Sequence, residues 1–133
     1  MRRALVPIVL VALTGCQTVP EQNRLQPLPT DGPPLAYREV VQKARSLATA
    51  ATEAFYVDKW SEVEVAAVGL EQAALYLPRS SDIPEARQAS LDASVKTLAK
   101  EAQTLRDAAK AKDENKTNET LQRIHLRVRE LRE

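Results

Sequence analysis

The chain has 133 residues and carries 19 Lys and Arg against 18 Asp and Glu, a net charge of +1, which leaves no basic surplus for a general grip on nucleic acid. One Cys, one His and three Gly exclude an internal disulfide framework, a Cys-based zinc site, a multi-His metal site and a glycine-rich phosphate loop. An aromatic share of 4% points to one small domain with an aliphatic core. The first element is an address. In residues 1–15, MRRALVPIVLVALTG, Arg2 and Arg3 precede an apolar run from Leu5 to Leu13. That run is far short of the ~20 residues a spanning helix needs, and behind two arginines it reads as a signal peptide.

Leu13-Thr14-Gly15-Cys16 closes this segment and resembles the lipobox of bacterial lipoproteins. The resemblance implies a diacylglyceryl thioether on Cys16, cleavage before it and acylation of the new amino group. Several acyl chains anchor stably where one is marginal. Gln17 in place of Asp leans toward the outer membrane, with the chain facing the periplasm. Loss of residues 1–15 removes Arg2 and Arg3 and no acid, two positive charges fewer than +1, for a net −1. Lipid, not a polybasic patch, then supplies the membrane contact.

Residues 16–34 hold five of the eight prolines: Pro20, Pro27, Pro29, Pro33 and Pro34. Proline fixes φ and removes a donor, so this stretch is expected to be a disordered, semi-stiff tether. From 35 to 133 the composition favours helix, and apolar residues recur in steps of three and four. Four helices are predicted. The first, 35–56, carries Tyr37, Val40, Val41, Ala44, Leu47, Ala48, Ala51 and Phe55. The second, 59–77, carries Trp60, Val63, Ala67, Leu70, Ala74 and Leu77. The five-residue step from Phe55 to Trp60 breaks the phase, which predicts a tight hairpin with Asp58 as N-cap and Trp60 plugging that end. Pro78 and Asp82 mark a turn, and Asp82 to Glu85 has capping-box spacing. The third helix, 83–111, carries Leu91, Val95, Leu98, Ala102, Leu105 and Ala109. The fourth, 115–132, carries Leu121, Ile124, Val128 and Leu131. Asp113, Asn115, Thr117 and Asn118 supply the break and the cap; the two sequons they form read as capping chemistry. Short connections predict an all-α, antiparallel up-down-up-down four-helix bundle, with Gly69 and the seam alanines allowing close approach.

The chemistry is sparse. His125 is the only imidazole, no Ser sits in a nucleophile elbow, and no Glu-x-x-His exists for a di-iron bundle. Glu62 and Glu64 read as solvated surface. The fourth helix groups Arg123, Arg127, Arg129 and Arg132; Arg123 and Arg127 pair with Glu130 at helical spacing, which reads as a salt-bridged surface, the sharper alternative being a site for a bound anion or a partner carboxylate. Ala108-Ala109-Lys110-Ala111-Lys112-Asp113 followed by Ile124-His125-Leu126-Arg127-Val128-Arg129 resembles the last two helices of cytochrome c-prime. The resemblance matches His125 to the proximal haem ligand and Arg129 to the Arg after it. Leu121 and Ile124 stand at the two Cys positions, so both thioether links are impossible, and Val128 replaces the usual aromatic. A b-type bundle offers no better fit, because Met1 is the only Met. His125 is therefore either a five-coordinate, non-covalent haem ligand or a boundary residue in a bundle whose haem space is filled by Leu and Ile.

These readings converge on a non-enzymatic envelope lipoprotein, with no catalytic residues and no metal or cofactor expected. It presents a helical bundle as a structural or protein-binding module to an unidentified envelope protein. The alternative is a haem-binding, cytochrome-like bundle using His125.

Overall fold

The computed structural model describes residues 24–132. They are all-helical: α1 (Tyr37–Tyr56), α2 (Trp60–Tyr76), α3 (Glu85–Gln88), α4 (Leu91–Lys110) and α5 (Glu114–Glu130), with a 3₁₀ turn at Leu77–Arg79 after α2. Among the described residues the only extended pairing is a single bridge between Ala36 and Ser81. It is closed by Ser81 N–H donating to Leu35 O at 2.9 Å and Tyr37 N–H donating to Ser81 O at 2.8 Å. The bridge ties the start of α1 to the turn after α2.

The four long helices pack in a cycle: α1 on α2, α2 on α4, α4 on α5, and α5 back on α1. The predicted stripes become one core. Val40, Leu47 and Ala51 of α1, Val63 and Leu70 of α2, Leu98 and Leu105 of α4, and Ile124 of α5 are all buried within it. Burial of this aliphatic surface, at about 25 cal/mol per Å², is the main driving force; most helical stability in a protein comes from such packing. Gly69 marks a close approach between α1 and α2. A Cβ there would stand 3.0 Å from Leu47 Cδ2 and 3.1 Å from Cδ1, so any side chain at this position requires the Leu47 side chain to shift by a few tenths of an ångström. Trp60 is half-buried and meets Phe55 edge-on at 5.6 Å, sealing the α1–α2 turn as its position predicts.

Two predicted caps differ. Asp58 does not cap α2; it has φ 57° and ends α1. Its N–H donates to Phe55 O at 3.2 Å, and Lys59 N–H donates to Ala54 O at 2.9 Å. That is a Schellman motif, with Asp in the left-handed position glycine usually takes. The α4–α5 turn repeats it. Lys112 has φ 51°, Lys112 N–H donates to Ala109 O, and Asp113 N–H donates to Ala108 O, both at 3.0 Å. Asp113 then caps α5, its side chain accepting from Lys116 N–H at 3.0 Å. Asp82 likewise does not cap a helix. It sits at φ 56°, and Pro84 precedes α3 without a side-chain cap. The bridge holds Ser81, so Asp82 turns the chain, and Ile83 before proline is kept out of helical geometry.

The single predicted helix 83–111 is two. α3 is one turn, followed by Ala89 and Ser90, and α4 begins at Leu91. No residue of α3 is buried, so no packing rewards continuity there. Ser90 also folds its hydroxyl onto Arg87 O at 3.4 Å, the local competition that makes Ser a poor helix interior residue.

The proline-rich stretch from 24 to 34 forms no helix or strand, as its prolines dictate. It does not leave the bundle, however. Arg24 pairs with Glu53 at 2.9 Å, and Lys43 Nζ donates to Arg24 O at 2.9 Å. Leu25, Leu28 and Leu35 pack on the core, and Leu35 N–H donates to the Tyr76 hydroxyl at 2.9 Å. The strap runs from the C-terminal end of α1 back to its start. Residues 16–23 of the expected tether, and the signal peptide before them, lie outside the described residues.

Candidate functional site

Cys16 lies outside the described residues. His125 is on the outward side of α5, next to buried Ile124. Its Nε2 stands 2.8 Å from Thr52 Oγ1 of α1. The Thr52 hydroxyl donates to Ala48 O at 3.0 Å, so it is left to accept from an Nε2–H tautomer. Among the described residues no carboxylate orients the ring from the other side, and a hydroxyl serving a carbonyl and an imidazole donor is not an activated nucleophile. The pair acts as a polar latch on the α1–α5 seam.

The same geometry bears on haem. The nitrogen that would reach iron faces Thr52, and Leu121 and Ile124 are core side chains. Arg129 is exposed one turn further along α5. The residues present do not fit a haem at His125. Among the described residues no group of His, Cys, Asp and Glu is arranged to hold a metal ion.

Burial at the seam lowers the His125 pKa from its ordinary value of 6.5. The neutral ring is the folded form, and the unfolded chain takes up a proton first as pH falls. Stability from this group is therefore complete above about pH 6.5 and is lost as pH drops from there through the lower folded pKa. In urea melts across that range the wild type should lose stability on acidification below pH 6.5, and His125→Gln should flatten part of the slope. Identical slopes in the two proteins would remove His125 from the account.

The basic group of α5 disperses. Arg127 pairs with Glu130 at 3.0 Å, as its spacing predicts. Arg123 does not; it reaches α4 and lays its Nε between both oxygens of Glu101 at 3.1 Å. The acid in the neighbouring helix is the less exposed partner, so that pair is favoured over one along the helix surface. Glu62 pairs with Lys59 at 3.3 Å on the surface.

Arg132 goes elsewhere, into a site that reading the sequence alone misses. An open groove of about 620 Å³ lies where the start of α1, α3 and the chain after α5 meet. Tyr37, Arg38, Val41, Gln42 and Arg45 line it from α1; Pro84, Ala86 and Arg87 from α3; Leu131 and Arg132 from beyond α5. On α1, Arg38, Val41, Gln42 and Arg45 stand at i, i+3, i+4 and i+7, which places them on one helical face. The Tyr37 hydroxyl donates to Leu131 O at 2.9 Å and locks the floor. Burial pushes the Tyr37 phenol pKa up, with the positive charge of Arg87 acting against it. Four guanidinium groups border the groove, and among the described residues no carboxylate lines it. None of the four is in an ion pair among the described residues. Its sequence signal is faint: the arginines come from three separated segments, and each alone looks like ordinary surface charge.

Comparison with protein-family models, with curated proteins and with solved structures finds no match to this chain.

Proposed function

We propose that the chain is a bacterial envelope lipoprotein whose Cys16 is acylated and whose helical domain is a non-enzymatic protein-binding module. The observation that carries the reading is Leu13-Thr14-Gly15-Cys16 directly after a charged and then apolar N-terminal run. The domain proposed is an antiparallel up-down-up-down four-helix bundle of α1, α2, α4 and α5. Three-residue turns at 57–59 and 111–113 support it. So do the cross-links from Gln103 to Glu71 at 2.9 Å and from Arg123 to Glu101. Outer-membrane attachment facing the periplasm follows from Gln17.

The strap gives the module an orientation. Seven residues separate Cys16 from Arg24, about eight steps along the chain and a reach of at most about 30 Å at ~3.5 Å per residue. Arg24 is clamped to Glu53 near the C-terminal end of α1. That end therefore stands within about 30 Å of the acylated cysteine. The α1 residues of the arginine groove, Arg45 back to Tyr37, lie a further ~12 to ~24 Å away along the helix at 1.5 Å per residue. A labelled fatty acid fed to cells should enter the wild-type chain and pellet with membranes. Cys16→Ser should take up none and leave the membrane fraction. Equal labelling and pelleting of the variant would defeat the lipoprotein reading.

A further inference from the structure

The groove between α1, α3 and the chain after α5 has a charge pattern that the fold does not need. Arginines are costly to cluster, since like charges repel over a Debye length of about 8–10 Å. A fold with 18 acidic residues neutralises Arg24, Arg123 and Arg127 with carboxylates. Among the described residues it leaves Arg38, Arg45, Arg87 and Arg132 facing one groove with none. The nearest acid on α1 is turned away: Glu39 folds its carboxylate back to accept from Ala36 N–H at 3.3 Å. The groove also has an apolar floor, because Val41 lies between the two α1 arginines and Leu131 closes the far side. Arg38 and Arg45 are seven residues apart, about 10 Å along the helix. That separation suits two anionic groups spaced along a chain better than a single small anion. The groove is open along its length, whereas small-molecule sites enclose most of their ligand.

From this we propose that the groove holds an acidic segment of a partner protein, with carboxylates about 10 Å apart on either side of an apolar side chain seated on Val41 and Leu131. Each carboxylate accepts from guanidinium N–H groups, the paired geometry for which arginine is suited. The proposal names the partner chemistry of the module described above, and rests on that reading only for the compartment in which the partner is met.

The test uses the full mature chain in non-ionic detergent and a fluorescent synthetic peptide with glutamates three residues apart and leucines between them, a spacing of about 9–10 Å in an extended polyproline-type chain. Saturable binding is expected, weakening as salt is raised, and lost with the peptide in which glutamine replaces glutamate. Arg38→Gln and Arg45→Gln should each weaken binding about tenfold or more, as loss of one charged hydrogen bond does. Lys100→Gln, an exposed charge on α4, should leave it unchanged. Both arginines are exposed, and an unaltered thermal melt keeps their loss of binding from being a loss of fold. Several results would overturn the proposal: no saturable binding, equal binding of the glutamine peptide, or equal weakening by Lys100→Gln. So would stoichiometric displacement by inorganic phosphate, or arginine-dependent capture by phosphatidylglycerol vesicles, since either makes the site one for phosphate or lipid. The mass of the Cys16 fragment, read on the same preparation, separates failure of the groove from failure of the lipoprotein reading.

Discussion

Leu98→Ala should lower the free energy of unfolding by about 2–5 kcal/mol. Leu98 is fully buried on α4, the helix that packs on both α2 and α5. Truncation removes three methyl-sized groups from the core and leaves a cavity that helices pinned by their neighbours fill only in part. A domain of this size has about 5–15 kcal/mol in total, so the loss is a large fraction of its stability. In urea the midpoint should fall by about 1 M or more, with little change of slope. A loss under about 0.5 kcal/mol, the range of an ordinary surface substitution, would mean that α4 is not packed as described.

Gly69→Leu should also destabilise, and here two effects oppose each other. Glycine inside a helix costs about 1 kcal/mol relative to alanine, so propensity alone would make almost any replacement stabilising. Sterics point the other way, because the first carbon already meets Leu47 at 3.0 Å and Leu47 is itself buried. Overpacking a filled seam costs about 1–3 kcal/mol, which exceeds the propensity gain over most of that range. The expected net is a lower melting midpoint, partly restored in a Leu47→Ala background because the two residues share one space. A higher midpoint for Gly69→Leu alone would show that α1 and α2 do not approach closely at this point.

The helices were legible because their signal is local and repeated. Stripes such as Val40, Ala44, Leu47 and Ala51 fix a helix and its buried face together, and those residues are buried in the structure. What the periodicity could not carry were single-residue backbone decisions. Asp58 and Lys112 take the left-handed position of a Schellman motif, a place where sequence patterns look for glycine. The break at Ala89 and Ser90 is hidden because good helix formers stand on both sides of it, Glu85 to Gln88 before and Leu91 onward after; the absence of packing under α3 and the Ser90 hydroxyl bond to Arg87 O end the helix. The strap was missed for a similar reason. Leu25 and Leu28 are scattered among prolines with no period, yet each finds the core. For the site, His125 could be placed on the flank of a stripe, but its partner Thr52 is 73 residues away. The arginine groove draws on three segments that only the folded chain brings together.

The central claim is that Cys16 carries the chain's attachment to a membrane and that the strapped helical domain begins within a short reach of it. Trypsin makes the most direct test, because no Lys or Arg lies between Cys16 and Arg24. Mass spectrometry of the tryptic digest of the membrane-extracted chain should find Cys16–Arg24 as a fragment of its own, starting at Cys16 and heavier by a diacylglyceryl group and a further acyl chain. A fragment that runs into Cys16 from Ala4 with a free thiol, in place of the acylated one, would contradict the account.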